Sequence, residues 1–223
     1  IENFASELLK IDSRNLPPKG NEKQCQLRFA EEMKKIGGDV EDYDVSKVEG
    51  LTEHPAYFKS RDYTDRPNTV SAFFGDEKGH SIMFSGHMDT VYQKGAFGYP
   101  PVRVEGDMIY GPGVSDCKGG IIVALLAMDA LHQAGFTARP IRLFLQCDEE
   151  VGSRYSQRQS INNMIAEAQQ CAAFFNCETA RPGKVTLLRK GILKMTVRVH
   201  GKAAHAKDYM TGVSALVEAA HKI

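Results

Sequence analysis

The side chains able to do chemistry stand at the ends of apolar runs. In GHMDTV, residues Gly86 to Val91, an imidazole and a carboxylate, His87 and Asp89, lie two residues apart directly behind Ile82–Met83–Phe84. Asp116 sits in the glycine-rich GPGVSDCKGG, Asp148–Glu149–Glu150 follow IRLFLQC, and Glu178 follows AAFFNC. In open α/β sheets, ligands collect beyond the carboxyl ends of the strands, so strands ending in these groups would bring them together. Like charges that close repel by several kcal/mol at an effective dielectric of ~20, and a divalent metal is the natural neutraliser. Alternation in an extended segment puts His87 and Asp89 on one side, so Asp89 can hold the ring nitrogen that His87 does not offer to the metal.

These groups need a scaffold, and hydrophobic spacing supplies its outline. IENFASELLKI and KQCQLRFAEEMKKIG have apolar spacing near 3.6 and predict two amphipathic helices, the second stopped by Gly37–Gly38. Tyr43 to Pro67 is polar and irregular and reads as a long surface connection. Strands are expected at Thr69–Phe74, Ser81–Phe84, Val102–Val104 and Met108–Tyr110, the last two joined by a hairpin-like EGD. KGGIIVALLAMDALHQAG is apolar nearly all round and predicts a buried helix. RPIRLFLQC is a strand, SINNMIAEAQQ a helix and AAFFNC a strand. Strands interleaved with helices argue for an α/β layer fold with helices on both faces of the sheet. ILKMTVRVHG then alternates with period two and a helix starts near Gly212, which together read as the first strand and helix of a smaller unit.

Composition narrows the partners. Lys plus Arg and Asp plus Glu are 28 each, so no positive excess points to nucleic acid or an anionic membrane, and a small polar molecule is the better default. The five cysteines are unclustered and lie mostly in apolar runs, which fits a reducing, cytoplasmic setting. No signal-peptide core opens the chain, and Ile121 to Leu131 is too short to span a bilayer.

Five stretches, in order, carry a family resemblance: SGHMDTVYQKG, RVEGDMIYGPGVSDCKGG, DEEVGS, the isolated acid of FFNCETA, and VHGKAAHA. They resemble the zinc peptidases and deacylases that include aminoacylase, acetylornithine deacetylase, succinyl-diaminopimelate desuccinylase and bacterial glutamate carboxypeptidase, with wording nearest the last. The resemblance implies a three-layer α/β sandwich with a mostly parallel mixed sheet over residues 1–189. A smaller α+β lid or dimerisation domain would begin at 190–223 and be cut short there. It implies that His87 ligates a first zinc, Asp116 bridges both zincs, Glu150 ligates the second and Glu178 completes the first. Cobalt or manganese could also suit so oxygen-rich a site. Glu149 would be the general base, Asp89 would orient His87, and His205 would reach a partner subunit's site, so a homodimer is implied for the full-length protein. The peptide bond Asp116–Cys117 would be cis. HAKDYMTG lacks the proline usual after that histidine, so the local loop is expected to differ. Residues 1–223 supply no third ligand for the second metal, and alone they are expected to hold at most one tight ion and to hydrolyse negligibly.

Simpler roles suit the remaining candidates. His54, His80, His132, His200 and His221 read as structural, Glu31–Glu32 as a solvated pair, and the glycines after Asp116 as steric spacers. The leading function is a metal-dependent hydrolase of an amide or peptide bond next to a free carboxylate, acting on an N-acyl amino acid or a short peptide. The alternative is a non-catalytic binding or assembly member, or an inactive fragment, on the same scaffold. A metal-free carboxylate pair acting on glycosidic bonds would leave His87, Asp116 and Glu178 idle and ranks last.

Overall fold

A computed structural model describes residues 2–15, 21–44, 67–74, 80–154, 156, 158–193 and 195–222. It divides into two compact units, Ile1–Thr179 and Ala180–Ile223; the expected boundary at 189/190 lies inside the second.

The first unit begins with two helices, α1 (Glu2–Lys10) and α2 (Glu22–Lys35). Their 3.6-residue spacing aligns Phe4 and Leu8 on α1, and Cys25, Phe29 and Met33 on α2, all buried. The Phe4 and Phe29 rings meet edge to face at 6.1 Å. On the solvent side Arg28 of α2 pairs with Glu7 of α1, tying the two helices together, and with Glu32 of its own helix.

Strand β1 (Asp39–Asp44) follows, then β2 (Pro67–Phe74), β3 (Ser81–His87), β4 (Arg103–Glu105), β5 (Met108–Tyr110), helix α3 (Lys118–Gln133), β6 (Ile141–Gln146), α4 (Gln159–Ala168) and β7 (Cys171–Asn176). The strand β1 corrects the reading of an irregular connection from Tyr43. DVEDYD has too little apolar alternation to announce itself and is extended because it pairs antiparallel with β2. The rest of that connection, 45–66, lies outside the described residues. Pro67 fits as the first residue of β2, where its missing N–H costs least.

The main sheet has the order β1-β2-β6-β3-β7. Strands β6, β3 and β7 run parallel, and β2 runs against β6. Side chains of β6 alternate: Ile141, Leu143 and Leu145 enter the core shared with α1, α2 and α3. Arg142, between them, pairs with Glu167 of α4. Helices therefore cover both faces, giving the expected three layers. Each fully buried aliphatic side chain in this core contributes roughly 1.5–3 kcal/mol.

Helix α3 is buried on one side only. Ile121, Ala124, Leu125 and Met128 are buried, whereas Val123 is 65% exposed, so the expectation of burial all round does not hold. Contacts with β3 and α1 account for the buried side. The EGD hairpin forms as read, with Gly106 at φ +59° between β4 and β5.

In the second unit the expected strand in ILKMTVRVHG does not form. Residues 191–193 and 195–200 belong to no ladder, and an isolated bridge joins Lys202 to Val213. Alternation alone does not make a strand; a neighbour must supply the hydrogen bonds, and none does among the described residues of this unit. Leu187, Leu188, Ile192 and Leu193 are more than 80% exposed within the unit. The expected helix is α5 (Ala215–Lys222).

Candidate metal centre

The parallel strands β3, β6 and β7 all point their carboxyl ends the same way, and His87, Asp89, Asp116, Glu149, Glu150 and Glu178 gather there. His87 is the last residue of β3, opposite Gln146 at the end of β6. Met88 N–H donates to Gln146 O at 2.8 Å, and Cys177 N–H to Ser85 O at 2.7 Å, so the turns leaving the sheet are pinned to their neighbours.

His87 is 1% exposed. Its Nε2 lies 2.8 Å from Asp116 Oδ1, 3.3 Å from Glu178 Oε1 and 3.9 Å from Glu149 Oε2. Its Nδ1 faces Asp89, 3.0 Å from the backbone oxygen and 3.3 Å from Oδ1. Asp89 thus holds the nitrogen turned away from the cluster, as the alternation suggested. The same carboxylate accepts from Glu149 N–H at 3.2 Å and Glu150 N–H at 3.1 Å. One buried side chain therefore orients the imidazole and fixes the 3-10 turn Glu149–Val151.

Asp116 precedes α3, and its peptide bond to Cys117 is cis, as the resemblance implied. Close backbone approach brings Asp116 and Glu178 together. A Cβ on Gly119 would stand 2.0 Å from Val114 O, and one on Gly120 1.9 Å from Cys177 O. Only glycine lets the start of α3 touch both the loop before it and the turn after β7. Thr179 Oγ1 donates to Ser115 O at 2.8 Å, tying together the residues that flank Asp116 and Glu178.

Asp148 does not join the cluster. It is fully buried and accepts from Ser156 N–H at 2.9 Å and Ser160 Oγ at 2.8 Å, which holds the chain between Glu150 and α4. Three residues here escaped the sequence reading. Cys117 Sγ accepts from His87 N–H at 3.1 Å. Lys118, 0% exposed, donates from Nζ to Ile11 O at 2.8 Å and Leu8 O at 3.3 Å, at the C-terminal end of α1, where a cation is favoured. Asn15 Nδ2 donates to Asp89 Oδ2 at 3.0 Å. Position beside Asp116 could have flagged Cys117 and Lys118; nothing in the sequence flagged Asn15. His205 lies in the second unit, exposed, its Nδ1 accepting from Lys207 N–H at 3.2 Å.

The electrostatics suit a cation. Burial raises the pKa of Glu149, and Glu178, Asp89 and Asp116 add to the effect. Burial, then Asp116, push Glu150 up to about 7. Burial opposes protonation of His87, but its hydrogen bonds to Asp89 and Cys117 outweigh this and hold its pKa well above the ordinary range. Both ring nitrogens face carboxylate or carbonyl oxygens, and protonated His87 is the one cation among the groups that most shift Glu149 and Glu150. The cluster is short of positive charge. His87, Asp116 and Glu150 each offer a ligand atom within 4.8 Å of the others, and so do His87, Cys117 and Glu178. The donor set of one imidazole and several carboxylates fits a divalent metal.

Residues 83–223 match the model of peptidase family M20/M25/M40, and the chain belongs to that family. Carboxypeptidase G2 of Pseudomonas sp. strain RS-16 is 38% identical over 146 residues, covering 63% of this chain and 34% of that protein. Succinyl-diaminopimelate desuccinylase of Gluconobacter oxydans is 28% identical over 138 residues, 57% of this chain and 35% of that protein. A tripeptidase structure from Staphylococcus aureus superposes with a TM-score of 0.60 at 20% identity, over 99% of this chain and 54% of that one. Human carnosine dipeptidase 1 gives 0.60 at 17% identity, over 78% and 38%. The chain spans about a third to a half of the length of the curated relatives it matches. Among the described residues, no helix is long and apolar enough to cross a membrane.

Proposed function

We propose that this chain carries the metal centre of a hydrolase that cleaves an amide or peptide bond beside a free carboxylate. His87, Asp116 and Glu178 would hold one zinc, and Asp116 and Glu150 would contribute to a second; cobalt or manganese could replace zinc. When bound, the ions would polarise the scissile carbonyl and lower the pKa of the attacking water. Glu149 takes the proton from that water and passes it to the leaving amine. One observation carries this assignment: Glu149 lies 3.9 Å from His87 Nε2 yet belongs to neither group of mutually close ligand atoms. Its side chain is 47% exposed, so solvent and substrate can reach it, and its raised pKa suits a group that takes up and returns a proton. Asp89 positions both His87 and the Glu149–Glu150 turn. His205 is assigned to the substrate, in the site of a partner subunit, and the working protein to a homodimer with residues 190–223 in its lid.

The relatives' names support the substrate class: a carboxypeptidase, a desuccinylase and a deacetylase all point to hydrolysis of an amide beside an amino acid. Two assays on the protein in its full natural length test the reading. N-acyl amino acids and dipeptides should be hydrolysed, and the same compounds with amidated C-termini should not. Glu149→Gln should keep its metal and lose turnover by at least ~100-fold, the scale of a lost acid or base. Near-normal turnover of a fully metallated Glu149→Gln protein would remove Glu149 from the mechanism.

A further inference from the structure

Asp89 makes four polar contacts that serve the site: His87 Nδ1, the N–H groups of Glu149 and Glu150, and Asn15. The last comes from 74 residues away and from outside the segment 83–223 that matches the family. We propose that Asn15 is a positioning residue of the metal centre, acting through its amide as the donor that fixes Asp89. This rests on the proposed function for its consequence but on the hydrogen bonds alone for its geometry.

Asn15 is 2% exposed. Its Nδ2 donates to Asp89 Oδ2 at 3.0 Å and to Cys147 O at 3.3 Å. Both neighbours are acceptors, so only the NH₂ end of the amide fits here. The two bonds join the end of β6, one residue before Asp148, to the carboxylate that orients His87. The backbone prepares this placement: Thr90 N–H donates to Ser13 O at 3.0 Å and Asn15 N–H to Thr90 O at 2.8 Å, so the chain after α1 is stitched directly to the residue after Asp89. The Asp89 carboxylate has two oxygens to share among the imidazole, the two turn N–H groups and Asn15. Without the Asn15 donor it keeps its contacts to the imidazole and the Glu149–Glu150 turn but loses the one that ties it to the chain after α1, so its orientation is less firmly set. A buried hydrogen bond to a charged group is the kind whose loss is felt most.

A pair of variants separates donation from packing. Asn15→Asp keeps the shape but sets an acceptor against Asp89 and Cys147 O; Asn15→Ala removes the donors and leaves a small space. A donor role predicts that Asn15→Asp is at least as damaging as Asn15→Ala, whereas a packing role predicts that it is milder. Two readouts are used on the full natural chain, with folding checked by circular dichroism. In metal-free protein, the downfield proton NMR signal of the His87 Nδ1–H, identified by its absence in His87→Ala, should shift or broaden in Asn15→Asp. Cobalt(II) affinity should fall at least tenfold in Asn15→Asp, with an altered visible spectrum. An unchanged His87 signal in a folded Asn15→Asp protein, or a milder effect than in Asn15→Ala, overturns the proposal. If the unsubstituted protein binds no cobalt, the metal function fails instead, and the NMR signal alone decides the role of Asn15.

Discussion

His87 has an acceptor on either side, Asp89 at Nδ1 and Asp116 at Nε2, and that is why its surroundings call for a second cation. In metal-free protein the only remedy is to retain protons, and stability should record it. Glu150 in the folded chain releases its proton near pH 7, far above an unfolded glutamate, and Glu149 is shifted the same way. Between about pH 4.5 and 7 the folded state therefore holds protons that the unfolded state has lost, so stability falls as pH rises through that window. His87, raised above its ordinary value, adds stability that is complete below about pH 6.5 and lost as pH rises toward its folded pKa, the same direction. Chelator-treated protein should melt at a lower temperature at pH 7.5 than at pH 5.5, and added zinc should raise the melting temperature more at pH 7.5. A metal-free melting temperature that climbs across this range would contradict the charge shortage. The pairing of His87 with Asp89 was legible because the two lie two residues apart at the end of β3. Asn15 was not, because a hydrogen bond spanning 74 residues leaves no mark in local sequence.

At the scale of elements, the runs with continuous apolar content were the readable ones, whether buried on both faces like β6 or left largely exposed like β7. RPIRLFLQC and AAFFNC became β6 and β7, the first starting two residues later than expected, after Pro140, and the second displaced by one residue. DVEDYD was missed because its partner β2, and not its own pattern, makes it a strand. ILKMTVRVHG was overread for the converse reason: it has the pattern but no ladder partner among the described residues of its unit. The glycines after Asp116 show how an element sets a site. A methyl group on Gly120 would meet Cys177 O at 1.9 Å, so Gly120→Ala must push the start of α3 away from the turn that carries Glu178. The substitution should cost about 1–3 kcal/mol, as overpacking does, read as a lower midpoint in urea. It should also weaken metal binding, because Asp116 and Glu178 sit on the two parts being separated. A Gly120→Ala protein of unchanged stability and metal affinity would mean that the contact relaxes without moving either carboxylate.

On the scale of the molecule, three strand ends and one helix start bring the proposed ligands His87, Glu150, Glu178 and Asp116 to one place, although His87 and Glu178 are separated by about half of the first unit's sequence. The segment that matches peptidase family M20/M25/M40 contains all four residues, and the superposition on di- and tripeptidase structures shows the fold they stand on. The claim on which the rest depends is that Asp116 serves two ions while Glu178 serves one. Equilibrium dialysis against zinc, with metal counted per chain in the full-length protein, tests it most directly. Asp116→Ala should empty both positions, and Glu178→Ala should mainly weaken the one shared with His87, leaving the other filled. Equal zinc stoichiometries in the two variants would contradict Asp116 as the bridge.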